Sequence, residues 1–337
     1  MNRILNLSGI VVIVFLAFSC DRDSNGNSAS ATQVPSTGNP TIDNLTKKIL
    51  YNPNDPTLYA GRAGAYYQVG GYDEAIADLS TALRYDSTNV EYQHVLADIY
   101  MDYYKSSLAL TTMEHAAKMH PERIPTLLKL SEFQLILKQN SASLKTIDQV
   151  LKLNANESEA YFMMGRNFYD MDDIPRAIGS FQKAVRLNSD LLEGWVYLGE
   201  LFDKKDSEDA IKHYDNALDI DSTNLDALNG KAAYYHQRGK LDEAIAIYKK
   251  TNRMHPQYSD AYYRAGLAFL EKDSANTAYQ QFDLATKTEP TNVMAYFYRG
   301  VVAEMKGDRD AAKNDYQQAL NLSPDFERAQ KALDNLK

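Results

Sequence analysis

A pattern of large and small residues that recurs along most of the chain constrains its fold more than any other feature. In residues 293–326 the pattern occupies one face of each of two short helices, because its spacings match the helical repeat. The face positions are Tyr296, Gly300, Ala303, Ala312, Tyr316 and Ala319. Gly307 marks the turn between the two helices, and Pro324 stands where the second helix must stop. This block therefore predicts a helix–turn–helix unit.

The same pattern returns at intervals of 34 residues through the preceding sequence. One step back the matching positions are Tyr262, Gly266, Phe269, Ala278, Phe282, Ala285 and Pro290. Eight blocks in all are predicted: 56–89, 90–123, 124–157, 158–191, 192–224, 225–258, 259–292 and 293–326. The third block departs most, since Gln134 and Ser143 stand where other blocks have aromatic and small residues. The fifth block is one residue short in its central turn.

This order of large, small and proline positions resembles the tetratricopeptide repeat (TPR), a helix–turn–helix motif of the same length. The resemblance implies an all-α fold, a right-handed superhelical solenoid of about eight TPR repeats. Residues 41–55 place apolar side chains on one helical face, and we expect a helix there that covers the first repeat. Residues 327–337 are predicted to form a C-terminal capping helix with a polar outer face.

The amino terminus has the pattern of a targeting segment. Arg3 provides a positive start, and an unbroken apolar run follows from Ile10 to Phe18. That run is short for a transmembrane helix, which needs about 20 apolar residues. The sequence ending in Cys20 resembles the lipobox of bacterial lipoproteins, although Ala17 stands where leucine is usual. We therefore predict a signal peptide over 1–19. A secretory signal with a chance cysteine and an uncleaved anchor are the alternatives.

Residues 20–40 are predicted to tether the repeats to a membrane. Cys20 is the single cysteine of the chain and the predicted site of lipidation, and acyl chains there would anchor the protein. The residues that follow are mostly Ser, Asn, Thr, Gly and Pro, too polar to form a packed core. We expect a lipoprotein of a Gram-negative envelope, on the outer membrane or on the periplasmic side of the inner membrane.

Composition and motifs argue against several classes of function. The net charge of −9 disfavours binding to nucleic acid, which requires a basic surface. The sequence has no glycine-rich phosphate loop, no paired cysteines and no metalloprotease or serine-hydrolase motif. The six histidines are scattered and do not form a metal-ligand pattern. We expect no enzyme, no cofactor and no metal site.

The first helices of the blocks supply the candidate binding residues. Resemblance to TPR arrays implies that positions 2, 5, 9, 12 and 13 of each block face a concave groove. Position 2 is mostly acidic and position 5 mostly apolar. The predicted groove residues are Glu159, Phe162, Arg166, Glu193, Val196, Glu200, Asp226, Asp260, Tyr263 and Phe297. We therefore expect an acidic groove with an aromatic floor. Acidic residues also favour the positive start of a helix, which is the alternative reason for their presence.

An acidic groove suits a protein or peptide segment that carries Lys or Arg. TPR domains that bind chaperone carboxyl tails use a Lys and Asn, then an Asn, then a Lys and Arg on consecutive first helices. No three consecutive blocks here supply that set. The predicted function is a lipid-anchored scaffold for protein–protein interaction. A carbohydrate-binding or hydrolytic envelope protein and a self-associating TPR oligomer are the alternatives, and the oligomeric state stays open.

Overall fold

The described part of the chain is a row of helix pairs joined by short turns. The structure is a computed structural model that describes residues 36–336, and all regular secondary structure in this range is helical. The predicted signal peptide over 1–19 and the lipidation site Cys20 lie outside the described residues, as does most of the predicted tether. The prediction of an all-α superhelical solenoid is confirmed.

Each pair combines a first helix of about 13 residues with a second of similar length. The eight pairs are α2 (Pro56–Gln68) with α3 (Tyr72–Tyr85), α4 (Val90–Asp102) with α5 (Ser106–Met119), α6 (Ile124–Ile136) with α7 (Asn140–Leu153), α8 (Ser158–Asp170) with α9 (Ile174–Leu187), α10 (Leu192–Lys204) with α11 (Asp209–Ile220), α12 (Leu225–Gln237) with α13 (Leu241–Met254), α14 (Ser259–Glu271) with α15 (Ala275–Thr288), and α16 (Val293–Met305) with α17 (Arg309–Leu322). The helix α1 (Pro40–Tyr51) precedes these pairs, and α18 (Glu327–Asn335) follows them.

The turn inside each pair requires one residue in the left-handed region. Glycine occupies this position at Gly70, Gly239 and Gly307, with φ between 69° and 79°. The other five pairs hold a residue with a side chain in the same conformation: Tyr104, Lys138, Asp172, Asp206 and Asp273. Since the same backbone conformation recurs in all eight turns, it is set by the geometry of the pair rather than by a glycine.

Glycine on a first helix lets an aromatic ring from the second helix of the pair lie against its backbone. A Cβ atom at Gly165 would lie 2.6 Å from the ring of Phe181, and one at Gly266 would lie 2.6 Å from the ring of Phe282. The alanines predicted to lie at helix crossings, such as Ala312, are buried. This packing of small residues against rings holds the two helices of these pairs together.

Helices at both ends cover the apolar faces of the outer repeats. At the amino end α1 buries Ile42 and Ile49, and it ends at Tyr51 because Pro53 disfavours further helix. At the carboxyl end α18 buries Ala329 and Leu333 while its other face is polar. No helix within residues 36–336 combines the length and apolarity needed to cross a bilayer.

Candidate partner-binding groove

First helices of neighbouring repeats approach one another on one side of the solenoid. Helix α6 contacts α8, α10 contacts α12, and α14 contacts α16. We call the surface formed by these first helices the groove. We call six of the acidic side chains on these helices the groove acids: Glu132, Glu159, Glu193, Glu200, Asp226 and Asp260. Because these helices are adjacent, acids that are 30 or so residues apart in sequence act on one another across the groove.

Glu159 shows this mutual effect most directly. Burial raises its pKa above the ordinary value, and repulsion from Glu132 and Glu193 on the neighbouring helices raises it further. Arg166 lowers the pKa of Glu159 by a smaller contribution. Arg166 in turn lies 3.8 Å from Glu132, at the limit of an ion pair. The groove around Glu159 therefore carries negative charge that its own cations do not balance.

The other groove acids differ in how they are compensated. Glu200 forms an ion pair with Lys204 at 3.0 Å, and Asp260 forms one with Arg264 at 2.5 Å. Both of these pairs join residues four apart on one helix, so they are surface pairs of small stabilising effect. Glu193 and Asp226 are exposed and have no ion pair within the described residues. Together with Glu159, these two carboxylates are left open to a partner.

Replacing Glu159 with glutamine is expected to stabilise the free protein at neutral pH. The folded-state pKa of Glu159 lies above its unfolded value, so wild-type stability falls as pH rises from about 4.5 through the folded pKa. Glutamine removes this loss, worth on the order of 0.5–1 kcal/mol once solvent screening is allowed for. Thermal melts of Glu159→Gln at pH 7 should lie above the wild type and converge with it near pH 4. Glu114→Gln, at an exposed position in the middle of α5, is the control and should leave the melting temperature at pH 7 close to that of the wild type.

The predicted aromatic floor is only partly present at the surface. Phe162 and Phe297 are 7% and 5% exposed, so the expectation that these rings face solvent is wrong. Phe162 packs on Phe181, and Phe297 packs on Tyr316 of the same repeat. Tyr263 is half-buried, and burial is the main cause that raises its pKa to about 12. These rings form the core beneath the groove, and alanine at Phe162 or Phe297 would test stability rather than binding.

Four of the predicted residues come together around one cavity. Glu193, Val196 and Glu200 of α10 and Asp226 of α12 line a space of about 480 Å³ between these two helices. Tyr263, Asp260 and Phe297 are not among its lining residues. Residues that the sequence analysis did not assign to the groove complete the lining, among them Tyr197, Tyr214 and Gly230. Tyr197 and Gly230 were missed because the implied groove positions omit position 6, which they occupy in the fifth and sixth repeats. Tyr214 was missed because it lies on a second helix, α11.

The side chains around this cavity offer several kinds of contact to a bound group. Burial raises the pKa of the Tyr214 hydroxyl well above its usual value, so this tyrosine stays protonated at neutral pH. No cluster of His, Cys, Asp and Glu that could hold a metal ion occurs in residues 36–336. Carboxylates, an amide and apolar side chains can together accept hydrogen bonds, pair with cations and cover an apolar group.

Comparison with known proteins matches parts of the chain to a described family. Three family models described as tetratricopeptide repeat match residues 162–224, 201–270 and 293–326. The chain is 34% identical over 114 residues to "Protein STIP1 homolog" from Dictyostelium discoideum, which covers 32% of the chain and 20% of that protein. It is 22% identical over 254 residues to "Hsp70-Hsp90 organizing protein" from Triticum aestivum, covering 74% of the chain and 38% of that protein. The chain thus spans well under half the length of these curated relatives.

A solved structure shares the fold over most of the chain. A tetratricopeptide repeat protein from Parabacteroides merdae is 15% identical, with a TM-score of 0.50. The match covers 73% of this chain and 98% of that protein. At this level of identity the likeness shows the fold alone.

Proposed function

Since this chain carries tetratricopeptide repeats, we propose that it is a lipid-anchored adaptor of the bacterial envelope that binds another protein. The binding surface is the groove, and the partner contributes a segment that carries Lys or Arg. The chain acts by holding this partner at a membrane and has no catalytic role. Proteins built from these repeats in general mediate protein–protein interaction.

Uncompensated charge in the groove is the observation that carries this proposal. Glu159 has acidic neighbours on both adjacent first helices, and Glu193 and Asp226 have no ion pair in the described part of the chain. Neighbouring helices lie about 10 Å apart, close to the Debye length of about 8 Å at physiological salt, so their charges act together. A cationic segment would relieve this repulsion, whereas an anionic one would increase it.

The charge of the groove bears on the class of partner. One curated relative is named an Hsp70-Hsp90 organizing protein, but the chain matches only part of it. The Lys and Asn set that grips a carboxyl tail is absent from consecutive first helices of this chain. A carboxylate tail would approach Glu159 and Glu193 against their charge. A basic segment is therefore the better partner for this groove.

The anchor is proposed from the sequence alone. An apolar run after Arg3 ends in Cys20, in a context similar to a lipobox. Two or more acyl chains at a processed cysteine hold a protein stably on a bilayer, and the polar residues that follow give the repeats reach from it. The repeats would then meet partners that lie near the membrane.

Membrane capture by wild type and by Cys20→Ser tests the proposal. Wild-type chain should pellet with membranes and, after mild crosslinking in the native envelope, should retrieve a partner protein that mass spectrometry identifies. Wild-type chain should incorporate labelled fatty acid and Cys20→Ser should not, because the acyl chains are attached at that cysteine. Absence of label from the wild type, or equal label on Cys20→Ser, would contradict the lipid anchor. Failure of the wild type to retrieve any protein would contradict the adaptor role.

A further inference from the structure

Aromatic rings from neighbouring repeats meet in a repeated cluster of three beneath the groove. In the first instance Phe162 and Phe181 belong to the fourth repeat and Tyr197 to the fifth. The ring centroids of Phe181 and Tyr197 are 4.8 Å apart and nearly parallel. Phe162 lies 5.7 Å from Phe181 and 6.0 Å from Tyr197. These spacings are those of favourable aromatic contacts.

The same cluster recurs three repeats further on. Tyr263 and Phe282 belong to the seventh repeat and Tyr298 to the eighth, at the positions equivalent to those of the first cluster. Their three centroid separations are 6.0, 6.0 and 5.8 Å. The solenoid backbone thus provides space for three rings where position 5 and the second helix of one repeat meet position 6 of the next.

Between the fifth and sixth repeats two of the three rings are missing. The equivalent positions there hold Val196, Tyr214 and Gly230. The Tyr214 ring packs between two glycines. A Cβ atom at Gly199 would lie 2.6 Å from this ring, and one at Gly230 would lie 2.5 Å from it. The Tyr214 ring thus takes up part of the space that a position-6 side chain would need. Val196, Tyr214 and Gly230 all line the cavity of about 480 Å³, which no ring from position 5 fills.

The rim of this cavity adds charge and a free acceptor. Glu193 and Asp226 line it and have no ion pair among residues 36–336. Asn229 also lines it, and its amide donates to the Tyr258 hydroxyl at 2.8 Å. The carbonyl oxygen of the Asn229 side chain is buried and accepts no hydrogen bond. A buried acceptor without a donor is costly, so a bound N–H group would be stabilised here.

We propose that this cavity receives an aromatic side chain of the partner protein, next to a Lys or Arg that pairs with Glu193 and Asp226. The inference rests on the proposed binding function and states which side chains of the partner the groove selects. The partner's ring takes the place of a ring that the other clusters hold within the chain. Charge complementarity at the rim selects a basic residue beside the ring, and Asn229 accepts an N–H group of the same segment.

The variant Val196→Phe tests this by supplying a ring from the protein itself, at the position where Phe162 and Phe297 stand in their repeats. Leu128→Phe makes the same kind of change at position 5 of the third repeat and is the matched control. Saturation-transfer and titration NMR on the purified full chain would use three probes: N-acetyl-phenylalaninamide, N-acetyl-leucinamide and N-acetyl-arginyl-phenylalaninamide. Circular dichroism melts establish that each variant is folded.

The wild type should bind the phenylalanine probe about fivefold more tightly than the leucine probe, as expected for ring contacts. The arginine-containing probe should bind more tightly still, with the gain lost in about 1 M salt. Val196→Phe should weaken both aromatic probes about tenfold, and Leu128→Phe should leave them unchanged. Equal binding of the leucine and phenylalanine probes, no binding of either, or unchanged binding to folded Val196→Phe would overturn the inference.

Partner capture separates this inference from the proposed function. If Val196→Phe still retrieves the partner that the wild type retrieves, the adaptor role stands and the aromatic pocket is overturned. If the wild type retrieves no partner but binds the probes as described, the pocket stands and the adaptor role fails. If Val196→Phe loses the partner and Leu128→Phe retains it, the result supports both the adaptor role and the aromatic pocket.

Discussion

Reversing the charge of three groove acids is expected to abolish partner capture. The variant Glu159→Lys/Glu193→Lys/Asp226→Lys should lower the affinity for the partner at least about a hundredfold, since each reversal replaces an attraction with a repulsion of about 1 kcal/mol or more. Glu132 and Glu193 already act on Glu159 electrostatically, so several carboxylates contribute to the negative potential at this part of the groove. The affinity is measured by titration of the captured partner against the purified chain.

A control variant carries the same change in net charge on the second helices. Glu114, Glu243 and Asp310 are exposed on α5, α13 and α17, outside the groove. Their replacement by lysine should leave the affinity within about twofold, because exposed charges beyond a Debye length are largely screened. The groove assignment would be wrong if both variants weakened the partner to the same extent. It would also be wrong if the groove variant bound normally.

The largest expected effect on stability comes from Arg299. Its guanidinium donates to both carboxylate oxygens of Asp315, at 2.9 and 2.6 Å, and to Asp283 at 2.8 Å. Asp315 is only 5% exposed. Arg299→Met would leave this carboxylate buried without a cation, at a cost of about 3–5 kcal/mol. Because repeats are stabilised by their neighbours, the carboxyl-terminal repeat should unfold first, ahead of the remaining array.

Chemical denaturation followed by hydrogen exchange would measure this loss. Amides of α16 and α17 should lose protection in Arg299→Met while those of α8 and α9 keep theirs. The double variant Arg299→Met/Asp315→Leu removes the stranded charge and should recover most of the stability. If the double variant were as unstable as the single one, packing of the Arg299 stem would be the cause instead of the buried carboxylate.

The helical organisation could be predicted from sequence because it depends on local, periodic features. Small residues are required where helix backbones approach one another, and rings are required beside them. The positions of these residues therefore show where each repeat begins. Two contacts illustrate this pairing of a ring with a small residue: Phe181 lies against Gly165, and Phe282 lies against Gly266. The starts of the first helices, such as Ile124 and Val293, coincide with the predicted block starts for the same reason.

Burial of the groove rings could not be predicted from the same pattern. Position 5 faces the groove in the average repeat, but here Phe162 is large enough to reach Phe181 and Tyr197 and to be covered by them. Whether a ring at position 5 is exposed therefore depends on position 6 of the next repeat. The cavity follows from the same dependence, since Val196 and Gly230 belong to different repeats and neither is unusual alone.

The third repeat shows a second limit of pattern reading. Its polar departures from the motif satisfy one another in the core: the Thr146 hydroxyl donates to the Gln134 side chain at 2.8 Å. Asn167 of the next repeat donates to the Ser143 hydroxyl at 2.9 Å, and Ser143 donates to the Ser131 carbonyl at 2.8 Å. Buried polar groups are tolerated when they are paired in this way. The core accordingly continues from the second to the fifth repeat, although the sequence of the third repeat shows little of the motif.

The proposed binding mode requires contact between carboxylates of the groove and basic residues of a partner protein. Carbodiimide crosslinking detects such contacts, because it joins a carboxylate to a lysine only where the two touch. The captured complex, digested and analysed by mass spectrometry, should show crosslinks from partner lysines to Glu159, Glu193 and Asp226. Crosslinks confined to the second helices, to α1 or to α18 would contradict the claim and place the partner on another face.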